Sequence, residues 1–113
     1  MPETHQRASE PSPRVKICGI TDLADAELAV ELGAWAIGMV FFQGSPRRCS
    51  IEQAQRIAAA LQRRVELCGV FVNAPLEQVV RTSEDLGLTM VQLHGDEGPA
   101  FCGEVPRISA IHG

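Results

Sequence analysis

The sequence has no excess of positive charge, no close cysteine pair, no phosphate-cradling glycine loop and no apolar run of membrane length. Ten Lys and Arg stand against 14 Asp and Glu, a net charge of −4 with a pI near 5.3. A nucleic-acid binder would carry a basic footprint, so this balance argues against one. The longest nearly unbroken apolar run, Ala34 to Phe42, is about half of the ~20 residues that a membrane helix needs. The opening Met1 to Pro13, MPETHQRASEPSP, offers neither an apolar stretch nor a small-residue cleavage site of the signal-peptide kind. A cytoplasmic protein with no membrane partner is expected.

Other absences narrow the chemistry. Cys18, Cys49, Cys68 and Cys102 are scattered with no C-x-x-C among them, and the three histidines supply no close ligand pairs. Neither a zinc site nor a disulfide framework is expected, and buried or idle thiols are the ordinary reading for at least three of the four. Neither G-x-G-x-x-G nor G-x-x-x-x-G-K-[ST] occurs, so no dinucleotide or nucleoside triphosphate is indicated. What remains is 113 residues, 45% of them hydrophobic. That is enough for one globular domain and too little for two.

The polar, proline-bearing residues 1–13 read as a disordered tail, and 14–113 as the folded part. Val15 to Cys18 reads as a short strand closed by Gly19. Thr21 is the expected N-cap of a helix ending at Gly33, with Ala24, Leu28 and Leu32 on its buried face. Trp35 to Phe42 is a continuous apolar run, suited to a strand covered on both faces. After the loop Gln43 to Cys49, Ser50 and Gln53 form an S-x-x-Q capping box for a helix burying Ala54, Ile57, Ala58 and Leu61. A third strand runs Val65 to Asn73. Pro75 then opens a helix with Leu76, Val79, Val80 and Ser83 inward and Gly87 at its end. A fourth strand is Met90 to His94, a weak helix falls near Glu97 to Gly103, and a fifth strand is Arg107 to His112.

Strand and helix alternate about four and a half times, which gives right-handed βαβ units and a parallel α/β sheet. Two architectures satisfy this: an open doubly wound sheet, or part of a (β/α)₈ barrel. Polar residues with chemistry recur where strands end: Cys18, Asn73, Gln92 and His94. In a barrel those ends form the catalytic rim, but a whole barrel takes at least ~200 residues. From spacing alone Cys18 is more simply a core thiol and Asn73 a cap of the third helix.

Five motifs stand in order: K-I-C-G-I-T at Lys16 to Thr21, G-M-V-F-F at Gly38 to Phe42, S-P-R at Ser45 to Arg47, G-V-F-V-N at Gly69 to Asn73 and V-Q-L-H-G at Val91 to Gly95. This set resembles the phosphoribosylanthranilate isomerase family of tryptophan biosynthesis over Val15 to about His112. The resemblance implies a partial (β/α)₈ TIM barrel and an Amadori rearrangement of N-(5-phosphoribosyl)anthranilate, an aminoaldose, to the 1-amino-1-deoxyketose, with no cofactor and no metal. It implies that Cys18 is the general base, a role suited to a thiol whose free pKa of about 8.5 lies near neutrality. It implies that Arg47 receives the anthranilate carboxylate, which a planar guanidinium can hold with two hydrogen bonds. After Arg47 the sequence departs from the family pattern, with Arg48 and Cys49 in place of an aromatic and an aliphatic residue.

Gln92 and His94 share one face of their strand by alternation; if that face is the barrel interior, as the resemblance implies, both are expected at the rim as substrate contacts. A structural histidine bonded to backbone is an equally good reading of His94 taken alone. The family's general acid, an aspartate, and its phosphate loops belong to later strands that match nothing up to Gly113. The expectation is therefore an N-terminal half, holding the base but not the acid. The alternatives are a non-catalytic half-barrel that self-associates as a homo-oligomer or pairs with a C-terminal half, and a sugar-phosphate-binding module on an open sheet.

Overall fold

The computed structural model describes residues 14–93 and the backbone of 109–112. The order is β1 (Lys16–Cys18), α1 (Leu23–Glu31), β2 (Ala36–Val40), α2 (Ile51–Leu61), β3 (Glu66–Phe71), α3 (Leu76–Leu86), β4 (Met90–Leu93) and β5 (Ser109–His112). All pairings are parallel and the sheet order is β1-β2-β3-β4-β5, the order of the chain. A doubly wound sheet reverses direction at a switch point. This one never reverses, which selects the barrel segment over the open sheet. The expected tail, His94 and the weak helix near Glu97 lie outside the described residues.

Because crossovers of one hand return each helix to the same side, the two faces of the sheet have different covers. Ile37, Met39, Leu67, Phe71, Val91 and Leu93 point to the helices and form the core with Ala26, Ala29, Ala54, Ile57, Ala58, Leu61, Val79 and Leu86. Phe41 stacks on Phe71 at the upper end of this layer, ring centroids 5.5 Å apart. Alternate positions turn the other way, so Cys18, Gly38 and Cys68 are in register across three strands, as are Val40, Val70 and Gln92. The sheet curls toward this second face: Lys16 on β1 donates from Nζ to Gln92 Oε1 on β4, two strands beyond its own neighbour.

The second helix forms as its capping box predicts. Ser50 Oγ accepts from Gln53 N at 3.1 Å, and Ala54, Ile57, Ala58 and Leu61 are buried. The third ends on Gly87, whose φ of 67° is the left-handed turn that glycine supplies without strain. Its N-cap position falls on Pro75, not Asn73; Asn73 has a φ of 48° and turns the chain out of β3 instead.

The first helix corrects two expectations. Its N-cap is Asp22, whose carboxylate accepts from Asp25 N at 2.8 Å, rather than Thr21. The face against the sheet carries Ala26 and Ala29, while Leu28 and Leu32 are 53% and 78% exposed. Small residues let α1 approach β1 and α2 closely, and the larger leucines are turned outward. With Val15 and Ile17 they line an apolar groove of about 300 Å³ beside β1, the edge strand among the described residues.

These placements set opposite costs for two apolar-to-smaller changes. Ile57→Ala should lower the unfolding free energy by about 2–5 kcal/mol, because a fully buried side chain leaves a cavity. Leu32→Ser should stay within about 0.5 kcal/mol. Urea unfolding followed by circular dichroism checks the pair, and a larger loss at Leu32 would contradict the observed face of α1.

Candidate active site

The site is built where β1 and β2 end. Beyond Cys18 the chain makes a tight exit: Gly19 N and Ile20 N both donate to Gly38 O, each at 3.1 Å. Gly19 has a φ of 86°, a conformation that other residues rarely adopt. Gly38 matters for a different reason, namely space. A Cβ there would come within 2.9 Å of Cys18 Sγ, so the thiol occupies the room that a side chain on β2 would fill. Cys18 is itself exposed and free.

Arg47 arrives from the loop after β2. That loop is folded by consecutive turns, Ser45 N to Phe42 O at 3.0 Å and Arg48 N to Ser45 O at 3.2 Å. It is closed at its base where Cys49 N donates to Val40 O at 2.8 Å. Ser45 Oγ also accepts from Arg47 N at 3.0 Å. The loop is thus fixed by its own backbone, and Arg47 extends across the β1 exit. A Cβ on Gly19 would meet Arg47 Cδ at 2.9 Å and Nη1 at 3.3 Å. The residue after the thiol is therefore the one on which the guanidinium rests. Arg48 instead bridges by its backbone to Val40, which separates the roles of the two neighbouring arginines.

Below this pair, on the same face, Lys16 and Gln92 are joined across the fold. The sequence placed Gln92 on the rim face, and that face is the one it occupies. Its carbonyl oxygen, however, is taken up by Lys16, a partner not anticipated although the same alternation puts Lys16 and Cys18 on one side of β1. Among the described residues no carboxylate pairs with Lys16 or Arg47; the ion pair that is present, Arg81 with Glu77 at 3.4 Å, is an exposed helical pair remote in role. Among the described residues, this face carries the cationic side chains of Lys16 and Arg47. His94, the remaining expected contact, lies outside the described residues.

The other described thiols have different surroundings. Burial pushes Cys68 up to about 11; the nearby Lys16 charge opposes this, Cys18 adds to it, and a hydrogen bond from the Gln92 backbone opposes it. Burial, with Asp22 in support, likewise pushes Cys49 up to about 11. Both stay protonated at neutral pH and are poor bases. Among the described residues, no three His, Cys, Asp or Glu side chains are grouped to hold a metal ion. No helix among them is long and apolar enough to cross a membrane.

Sequential parallel βα units with helices on one face, and Cys18 and the Arg47 loop at the strand ends of the other, define a segment of a β/α-barrel. The profile of the N-(5′-phosphoribosyl)anthranilate (PRA) isomerase family matches residues 15–111, and the chain belongs to that family. The N-(5′-phosphoribosyl)anthranilate isomerase of Citrifermentans bemidjiense is 55% identical over 94 residues, 83% of this chain and 46% of the relative. The crystal structure of phosphoribosyl anthranilate isomerase from Thermotoga maritima superposes with a TM-score of 0.85 at 44% identity, over 89% of this chain and 50% of that one. A phosphoribosyl anthranilate isomerase in complex with reduced 1-(o-carboxyphenylamino)-1-deoxyribulose 5-phosphate matches equally, with a TM-score of 0.85 and 44% identity over 89% and 53% of the two chains. The chain is thus part of a TIM barrel, and it spans about half the length of the relatives it matches.

The three thiols should separate by accessibility. In the folded chain at pH 7.5, iodoacetamide should modify Cys18 at least ~10²-fold faster than Cys49 or Cys68, which are 2% and 0% exposed. Raising the pH to 9 should leave the two buried thiols slow. Peptide-resolved mass spectrometry follows each cysteine, and comparable rates at Cys18 and Cys68 would contradict the placement of the thiol at the rim.

Proposed function

We propose that this chain is the N-terminal half of a phosphoribosylanthranilate isomerase and carries the base and the carboxylate grip of its active site. The observation that supports this reading most is the exposed Cys18 thiol with Arg47 laid across the next residue, Gly19. A base and an anion-binding group are thereby adjacent at one strand end.

The reaction is an isomerisation, so every proton removed is returned. A general acid protonates the furanose ring oxygen of N-(5-phosphoribosyl)anthranilate, and the C1′–O bond breaks to leave a Schiff base. Cys18, as thiolate, takes the proton from C2′, and the electron pair of that bond passes into the C1′–C2′ bond as the nitrogen accepts the former double-bond pair. The enolamine then tautomerises to 1-(2-carboxyphenylamino)-1-deoxyribulose 5-phosphate. Arg47 holds the carboxylate with two charge-assisted hydrogen bonds, fixing the aryl end while the ribose reacts. Gln92 and His94 are assigned to the same rim as substrate contacts. No Asp or Glu of this chain is assigned as the acid.

The acid and the phosphate-binding loops are proposed to come from a C-terminal half. The apolar groove of Val15, Ile17, Leu28 and Leu32 beside the β1 edge favours such a partner, since a parallel edge with an uncovered apolar flank is a surface for pairing. The setting we assign is the cytoplasm, with a small-molecule substrate.

With the second half supplied, Cys18→Ser should lower kcat by ~10²-fold or more, the usual scale for a lost general base. Arg47→Ala should weaken ligands bearing the anthranilate carboxylate by about 1.5–3 kcal/mol and spare a ligand lacking it. Steady-state kinetics and competitive inhibition measure both. Near-normal turnover by the serine variant would remove Cys18 from the mechanism.

A further inference from the structure

We infer that Phe42 is the wall against which the substrate's aromatic ring stacks, so that Phe42 and Arg47 together read a planar aryl carboxylate. The inference rests on the function proposed above and adds to it the group that recognises the ring, as distinct from the carboxylate.

Phe41 and Phe42 follow β2 and meet different fates. Phe41 N still donates to Val70 O on β3 at 2.9 Å, so the extended backbone continues one residue past the strand. The Phe41 ring turns to the helices and packs on Phe71. Alternation carried past the strand assigns Phe42 to the opposite side, that of Gly38 and Val40, the side that also bears Cys18. It is 40% exposed, an aromatic ring left partly in water in the same loop as Arg47.

The loop holds this ring in a defined place. Phe42 O accepts from Ser45 N, closing the turn that brings Gly44 under the ring. A Cβ on Gly44 would lie 2.7 Å from both Cε2 and Cζ of Phe42. The ring therefore packs against the bare backbone of Gly44 while 40% of the residue stays exposed. Arg47 belongs to the same loop, five residues on, and the loop ends meet at the Val40–Arg48 bridge. An aromatic face and a guanidinium in one self-braced loop match the two parts of anthranilate: a ring that offers offset stacking, and a carboxylate in the ring plane. Glycine at position 44 is what gives the ring room. A larger residue there would push the ring toward the rim.

Anthranilate itself is the probe, since it is fluorescent and carries both parts; cis-2-aminocyclohexanecarboxylate keeps the carboxylate and amine but has no flat ring. The 113-residue chain is titrated with each, alongside Phe42→Ala, Phe42→Leu and Arg47→Ala, with circular dichroism confirming that every variant is folded. Phe42→Ala should weaken anthranilate ~10-fold and the saturated analogue less than ~2-fold. Phe42→Leu, which keeps apolar bulk but not the flat face, should weaken anthranilate ~3-fold or more. Arg47→Ala should weaken both ligands alike. If Phe42→Ala changes neither ligand, or both equally, while Arg47→Ala still weakens both, the ring wall is overturned and the carboxylate reading stands. If the wild-type chain binds neither ligand, or binds them without regard to Arg47, both readings fall.

Discussion

The register that sets Cys18 against Gly38 is the constraint on which the rim depends. A side chain on β2 at that height would strike the thiol, and a shift of one residue would turn Cys18 into the helix layer. The same glycine contributes its carbonyl to Gly19 N and Ile20 N, so the exit of β1 is tied to the point where the thiol is accommodated. Gly19, in turn, is bare enough for Arg47 to lie on it. Two glycines without side chains thus make room for a thiol at the end of β1 and for a guanidinium from the loop after β2. The parallel pairing beneath them gives the arrangement its stiffness.

The concave face has a further tie in Lys16 and Gln92, which join strands that are not neighbours. A flat sheet would keep β1 and β4 about three strand spacings apart, near 14 Å. A lysine of ordinary reach spans them because the sheet curls. Cys68 and Val70 on this face are buried with none of α1, α2 and α3 over them, while the opposite face is covered by those three helices. The chemistry of the two faces follows from this difference. One is an apolar layer, and the other carries Lys16, Cys18 and Gln92.

Much of this was legible in the chain itself, and the misses have physical causes. The apolar run from Trp35, the Ser50–Gln53 capping box and the glycine at 87 each express a single dominant constraint; the run yields a strand over its inner part, Ala36–Val40, and the other two form as read. The first helix does not, because Ala24, Leu28 and Leu32 share an i, i+4 spacing that competes with the stripe of Ala26 and Ala29. Periodicity cannot tell which stripe faces inward when the inner one is small. Thr21 and Asp22 are both good caps, and the choice between them depends on where the Gly19 turn releases the chain. Gln92 was placed on the correct face, yet its partner is 76 residues away, and no local pattern encodes a contact across a curved sheet. Cys18 at a strand end and Arg47 in the loop after the second strand were readable from motif order; that Arg47 lies against Gly19 required the fold.

The central claim is that this chain holds a base and a carboxylate grip that work only when the rest of a barrel supplies an acid. The direct measurement is turnover of N-(5-phosphoribosyl)anthranilate by the purified chain, alone and with an added C-terminal half of a family member, under pseudo-first-order conditions. The account predicts no enzymatic turnover by the chain alone, and restored turnover by the pair that is lost again with Cys18→Ser. Turnover by the chain alone at rates typical of enzymes, ~1–10³ s⁻¹, would contradict it.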